Sequence, residues 1–124
     1  MKIIDGVERA AQNPNTFQIP TAKQVRRLRP GDIVKLIFSA DAETGYVEER
    51  LWVQITSRRG RRIVGVIDSQ PMVTPDAARG DRVHFDARNI IDVWDESKRE
   101  ALGAGGQRLV SSTANVLMRN WLSN

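Results

Sequence analysis

The fold is decided by the stretch from Arg29 to Pro71, which has the sequence RPGDIVKLIFSADAETGYVEERLWVQITSRRGRRIVGVIDSQP. Apolar residues alternate along three segments of it, as in β-strands that present one face to a core. The three segments span residues 32–38, 47–56 and 63–68. A polar loop over 39–45 and a tight turn over 57–62 separate them. The stretch therefore predicts three consecutive strands.

Two details of these strands favour a curved sheet. In the first strand, Ile33 and Ile37 lie opposite the main apolar face, which predicts that both faces of this strand are largely covered. In the third strand, Gly65 lies between Ile63 and Ile67 and indicates a bend or a close backbone approach. Short strands with such a bend are typical of small barrels and strongly bent sheets.

Further elements are predicted on either side. Thr21 can cap a short helix over 22–28, which ends at Pro30-Gly31. A fourth strand is predicted over 82–85, and residues 90–94 form another apolar segment that is a strand or a helical turn. The whole pattern predicts a small, strongly bent antiparallel sheet or SH3-like barrel of about five strands, with a short N-terminal helix and a C-terminal amphipathic helix.

The C-terminal part of the chain has the spacing of an amphipathic helix. Three glycines occur within residues 103–106, and after them Val110, Ala114, Leu117 and Trp121 follow at helical intervals. We predict a single β-rich domain over 1–95, a linker over 96–106 and a helix over 107–124. The apolar stripe either packs on its own domain, which we favour, or contacts another chain and supports an oligomer.

Composition excludes several functional classes. The 124 residues include no cysteine, which excludes disulfides and thiolate chemistry. The first ten residues, MKIIDGVERA, lack the apolar run of a signal peptide, and no apolar run approaches the length of a membrane span. We therefore expect a cytoplasmic protein.

Candidate catalytic groups are sparse. His84 is the only histidine and lies between Arg82 and Asp86, on the polar face of its predicted strand. Glu48 and Glu49 are neighbours on opposite faces of a strand and cannot form a carboxylate pair. No zinc-type spacing and no phosphate-binding loop is present. The sequence thus predicts a protein that is not an enzyme and carries no metal or cofactor.

The turn at 58–62 is the one locally extreme feature, with four basic residues and no acidic one. Its flanks are acidic overall: residues 32–57 have 2 basic and 5 acidic residues, and residues 63–95 have 3 and 6. Guanidiniums can hold phosphates or carboxylates through forked hydrogen bonds. The alternative is that a solvated hairpin tip simply carries arginine. The predicted binding residues are Arg58, Arg59, Arg61, Arg62 and Trp52. Trp52 and Tyr46 are the aromatic residues that could supply a stacking surface beside the arginines.

The motifs of the chain are similar to those of a known family. They are TFQIP at 16–20, LRPGDIVKLIF at 28–38, RLWVQIT at 50–56, GVIDSQP at 65–71, GDRVHF at 80–85 and NII at 89–91. In this order, over about residues 14–95, they resemble the YegJ-like family of small bacterial domains of unknown function. The resemblance implies a compact, mainly β domain without established catalytic residues, sometimes found with domains of toxin–immunity systems.

Two positions depart from that resemblance. Ser69-Gln70 stand where such proteins tend to have an acidic residue or asparagine, and four arginines occupy a hairpin tip that is often acidic or rich in glycine. The arginines are therefore a trait of this chain. We interpret the protein as a non-catalytic binding module for a protein partner, of an immunity or regulatory type. The alternative is nucleic-acid binding through Arg58–Arg62, with Arg26, Arg27 and Arg29 extending the basic patch if the first helix lies nearby.

Overall fold

The computed structural model of the chain describes residues 1–43 and 45–95. This part of the chain forms six strands, two short helices and a 3-10 turn. They are β1 (Lys2–Ile3), α1 (Gly6–Gln12), α2 (Ala22–Arg26), β2 (Ile33–Ala42), β3 (Gly45–Arg59), β4 (Arg62–Ile67), β5 (Arg82–Asp86), the 3-10 turn Ala87–Asn89, and β6 (Asp92–Val93). The predicted linker and C-terminal helix lie outside the described residues.

The strands form one antiparallel sheet in the order β1-β2-β3-β4-β5. The short strand β6 also pairs with β2, through Val93 opposite Val34. Since β3 occupies the whole of one edge of β2, β1 and β6 share its other edge. The five main strands make a curled half-barrel, which confirms the predicted bent antiparallel sheet.

The core fills the concave side of the sheet. Leu28, which follows α2, is buried there with one apolar face of each long strand and with Ile90. The cluster comprises Leu28, Val34, Leu36, Phe38, Leu51, Val53, Ile55, Ile63, Ile67, Val83, Phe85 and Ile90. Ile33, Ile37 and Trp52 are buried on the opposite face, so β2 is covered on both sides as predicted.

The β2–β3 hairpin is longer than the sequence indicated. The predicted polar loop over 39–45 is wrong, because pairing continues through Asp41 opposite Tyr46 to Ala42 opposite Gly45. Polar residues are compatible with strand structure here because this end of the hairpin is largely exposed to solvent.

A β-bulge changes which side chains of β3 face the core. Ile55 pairs with Gly65 and Ser57 pairs with Val64, so Thr56 is the extra residue. A Cβ atom at Gly65 would lie 2.5 Å from Val53 Cγ1 and 2.7 Å from the Gln54 carbonyl oxygen. The close approach predicted from this glycine is confirmed.

The helix α2 begins as the sequence predicts. Its N-cap Thr21 accepts a hydrogen bond from the Gln24 amide, and the Gln24 side chain accepts one from the Thr21 amide. This reciprocal pair is a capping box. The helix α1 and strand β1 were not predicted. Asp5 caps α1 by accepting from the Glu8 amide at 2.9 Å, so the signal Asp5-x-x-Glu8 was present in the sequence.

Candidate binding site at the arginine hairpin

The arginines lie at a hairpin whose loop has two residues, Gly60 and Arg61. Arg59 and Arg62 are the last cross-strand pair of β3 and β4, so the turn is narrower than the predicted span of 57–62. Gly60 has φ +63°, the left-handed conformation expected of it. Two of the arginines have internal partners, and two do not.

Arg58 holds the helix α2 in place. The bulge puts Arg58 opposite buried Ile63, on the concave face. Its Nη1 donates to the carbonyl oxygens of Val25 at 2.7 Å and Leu28 at 3.0 Å, and its Nε donates to the Gly60 carbonyl at 2.6 Å. The carbonyls of Val25 and Leu28 lie at and just beyond the C-terminus of α2, where a cation is favoured. Arg58 is thus a structural residue.

Arg61 makes an ion pair at the surface. Its Nε lies 2.9 Å from Asp86 Oδ2, while its side chain stays 74% exposed. The other carboxylate oxygen of Asp86 accepts from the Arg88 amide at 2.9 Å. Arg61 is therefore partly neutralised, but its guanidinium still faces solvent.

Arg59 and Arg62 are directly opposite each other on the convex face. Both are exposed, and within residues 1–43 and 45–95 neither side chain makes an ion pair or a hydrogen bond. Asp86 is the neighbour of Arg62 on β5, but its oxygens bind Arg61 and the Arg88 amide. We name this place the convex groove: about 610 Å³, open, and lined by Ser57, Arg58, Arg59, Arg62, Ile63, Val64, His84 and Phe85.

The aromatic residues expected to assist these arginines lie elsewhere. Trp52 is only 3% exposed. Lys35 Nζ lies 4.6 Å from the centroid of its ring, and Trp94 packs edge-on at 5.2 Å. Tyr46 is exposed but occupies the far end of β3. The structure therefore brings neither Trp52 nor Tyr46 beside the arginine hairpin.

Three arginines in and after α2 were predicted to extend the basic patch, and one of them, Arg26, shares a groove with the arginines of the hairpin. Arg26 lines a second groove together with Arg58, Arg61 and Arg88. Its apolar walls come from Val7, Ile19, Pro20, Ala22, Val25, Ala87 and Ile90. We name this place the helix-side groove. Arg27 lines a different depression, next to Lys35 and Asp92.

Residues 1–113 match a family described as an uncharacterized protein conserved in bacteria, DUF2314. The chain belongs to this family. The match reaches beyond the motifs at 14–95 and includes β1 and α1, so the N-terminal elements belong to the DUF2314 domain. No curated protein and no solved structure matches the chain.

This DUF2314 chain also carries an anchored loop that the sequence did not reveal. Glu49 accepts hydrogen bonds from the amides of Met72, Val73 and Thr74 and from the Thr74 hydroxyl, at 2.6–3.2 Å. Burial alone would raise the pKa of Glu49, but the Thr74 hydroxyl and the three amides outweigh it and lower that pKa. No sequence signal links residues this far apart.

Neither a cluster of metal-ligating side chains nor a membrane-spanning helix occurs in the described part of this DUF2314 chain. Residues 1–43 and 45–95 contain no group of three histidine, aspartate or glutamate side chains placed to hold a metal ion. None of the helices in these same two ranges has the length and hydrophobicity needed to cross a membrane.

Proposed function

We propose that this DUF2314 protein is a non-catalytic binding module that recognises an acidic surface of a protein partner through Arg59 and Arg62. The observation that carries the proposal is the exposed cross-strand pair of these two guanidiniums. Among the described residues it has no internal counter-charge in hydrogen-bond contact. A carboxylate between the two side chains would supply that charge.

The pair is unfavourable for the hairpin itself. Like charges directly opposite each other on neighbouring strands destabilise a sheet by a few tenths of a kcal/mol or more. Arg58 and Arg61 differ from this pair because the side chain of each has a partner within the fold. A local arrangement that opposes stability is expected at sites of function. This contrast supports assigning the binding role to Arg59 and Arg62.

A non-catalytic role agrees with the surroundings of the pair. His84 is exposed in the convex groove, and Ser57 lies two strands away on the same face. The only carboxylate in this neighbourhood of the described chain, Asp86, is occupied by Arg61. The residues of the groove can therefore hold an anion but offer no oriented base beside a nucleophile.

Nucleic-acid binding is the second candidate, because the same guanidinium pair can contact two phosphates. Single-stranded nucleic acid is usually held by aromatic stacking as well as by basic residues. The burial of Trp52 and the distant position of Tyr46 favour an acidic protein surface over nucleic acid.

The test is binding of two fluorescent probes, a 20-residue glutamate peptide and a 20-nucleotide oligothymidine, followed by anisotropy. We expect Arg59→Ala/Arg62→Ala to weaken peptide binding about tenfold, since two contacts of roughly 0.7 kcal/mol each are lost. The control Arg27→Ala/Arg29→Ala has the same net charge and should bind like the wild type.

Equal peptide affinity of the Arg59→Ala/Arg62→Ala variant and the wild type would contradict the proposal. Strong binding of oligothymidine with no binding of the peptide would favour the second candidate instead. In that case the double substitution should reduce the slope of log K against log salt by about 1.4, the value for two phosphate contacts on a single strand.

A further inference from the structure

The helix-side groove is an apolar cleft with a basic rim. It has a volume of about 380 Å³, near the lower end of the roughly 300–1,000 Å³ typical of ligand pockets. Its floor is formed by Val25, Ile90 and Ala87, and Val7 of α1 and Pro20 complete the walls. A cleft of this size can bury one or two large apolar side chains, but not an extended surface.

The rim keeps hydrogen-bond donors available. Arg61 contacts Asp86 through Nε, and Arg88 contacts Asp5 through Nε, both at 2.8–2.9 Å. A guanidinium has five N–H donors, so the terminal nitrogens of both side chains can still donate to a ligand. Arg26 is exposed and makes no ion pair within residues 1–43 and 45–95. The rim thus presents three cationic groups around an apolar floor.

The charge of the rim distinguishes between possible occupants. The C-terminal segment of the chain is apolar along one predicted face, but residues 107–124 contain Arg108 and Arg119 and no acidic residue. A second copy that inserted its own C-terminal segment would bring the same cationic residues. Both are electrostatically mismatched to the groove, whereas an apolar segment flanked by carboxylates matches both its floor and its rim.

We propose that the helix-side groove binds an acidic segment of a partner protein, with one bulky apolar side chain on Val25 and Ile90 and flanking carboxylates on Arg26, Arg61 and Arg88. This inference rests on the proposed function for the nature of the partner, but it concerns a separate surface. Arg58 borders both grooves, but Arg59 and Arg62 line only the convex groove, and the three arginines of the rim line only the helix-side groove.

The test uses the full chain labelled with ¹⁵N and the peptide Glu-Asp-Leu-Phe-Glu-Asp, acetylated and amidated at its ends. We expect the peptide to shift the amide signals of Val7, Ala22, Val25 and Ala87. A peptide with Ser-Ser in place of Leu-Phe, and one with lysines in place of the acidic residues, should each bind at least tenfold more weakly.

Two substitutions address the floor and the rim separately. Ala22→Phe fills the groove from the exposed start of α2 and should abolish the shifts, whereas Lys23→Phe, next to it but outside the groove, should not. Arg26→Glu should weaken binding about tenfold or more. Arg27→Glu, at the C-cap of α2, makes the same charge change outside the groove and should have a smaller effect.

Unchanged binding in Ala22→Phe would overturn the inference. So would peptide-induced shifts confined to residues around Arg59 and Arg62, an outcome that leaves the proposed function intact. Nuclear Overhauser contacts between Trp121 and Val25 or Ile90 in the free protein would also overturn it, because the chain would then fill its own groove. Loss of hexapeptide binding in Ala22→Phe, together with unchanged affinity of Arg59→Ala/Arg62→Ala for the 20-residue glutamate peptide, would contradict the proposed function alone.

Discussion

Gly65 lies opposite Ile55, where β4 passes close to β3. A methyl group at this position would overlap Val53 Cγ1 and the carbonyl of Gln54, and the second of these is backbone that cannot move aside alone. We predict that Gly65→Ala destabilises the domain by about 1–3 kcal/mol, the usual cost of overpacking. Urea denaturation measures this free energy of unfolding.

The matched control for Gly65→Ala is Val66→Ala, next to it on β4 and only partly buried. This substitution removes atoms instead of adding them, so it should lower the free energy of unfolding clearly less than Gly65→Ala does. Equal stability of Gly65→Ala and the wild type would mean that the two strands can separate at this point without loss.

At the level of single residues, part of the site could be predicted from the sequence and part could not. The close approach at Gly65 followed from a glycine between two apolar residues. The faces on which Arg58 and Arg59 lie did not follow from the sequence, because strict alternation from Trp52 would have put Arg58 on the convex face. The bulge at Thr56 reverses that assignment, and a bulge is formed by pairing between strands that local sequence does not determine.

At the scale of elements, α2 depends on the hairpin that follows far along the chain. It has five residues, too few for an isolated helix to be stable in water. Arg58 satisfies the carbonyls of Val25 and Leu28 and so ties α2 to β3. The cap at Thr21 was expected from the sequence, but this tertiary attachment was not.

We predict that Arg58→Ala destabilises the protein by about 1–3 kcal/mol, since the hydrogen bonds from a charged group to two backbone carbonyls are lost. Arg59→Ala, one residue along, should change the free energy of unfolding by no more than about 0.5 kcal/mol. Thermal and urea unfolding of the two variants provide the comparison. Equal effects would contradict the division between structural and surface arginines.

The N-terminal elements illustrate a signal that was present but weak. Asp5 and Glu8 have the spacing of a helix cap, yet α1 has only seven residues, and its position depends on contacts with distant parts of the chain. Arg88 binds Asp5 at 2.8 Å, and a Cβ atom at Gly6 would lie only 2.9 Å from Ile91 Cγ2. Short elements of this kind are fixed by tertiary contacts more than by local propensity.

At the scale of the whole molecule, α1 is fastened across the sheet by a second ion pair. Arg9 donates to both carboxylate oxygens of Glu48, at 3.1 and 2.8 Å, and the Tyr46 hydroxyl donates to one of them at 2.7 Å. These hydrogen bonds lower the pKa of Glu48 to about 2, from 4.5. Because the folded state holds Glu48 ionised, the carboxylate stabilises the fold above its unfolded pKa.

This stabilisation should be lost as the pH falls from about 4.5 to about 2. We predict that Glu48→Gln is less stable than the wild type by about 0.5–1 kcal/mol at pH 7, and that the difference vanishes towards pH 2. Urea melts at several pH values measure it, with exposed Glu43→Gln as the control. A difference that persists at pH 2 would show that charge is not its cause.

The overall architecture was the most predictable level, because the long alternating segments specify both the strands and the face that is buried. The ends of the strands were harder to predict, because β2 and β3 continue into polar residues whose pairing is set by the hairpin between them. The closing contacts, such as Asn89 with the Ile4 carbonyl at 3.0 Å, join residues far apart in the chain and have no local signature.

Because of the bulge at Thr56, the arginines at the end of the hairpin fall into two sets, one on each face of the sheet. Arg58 attaches α2, while Arg59 and Arg62 determine only the charge of the convex face. The convex face can therefore change from basic to neutral or acidic by two substitutions, with the scaffold unaltered. In such an arrangement, relatives can diverge in what they recognise while they keep a common fold.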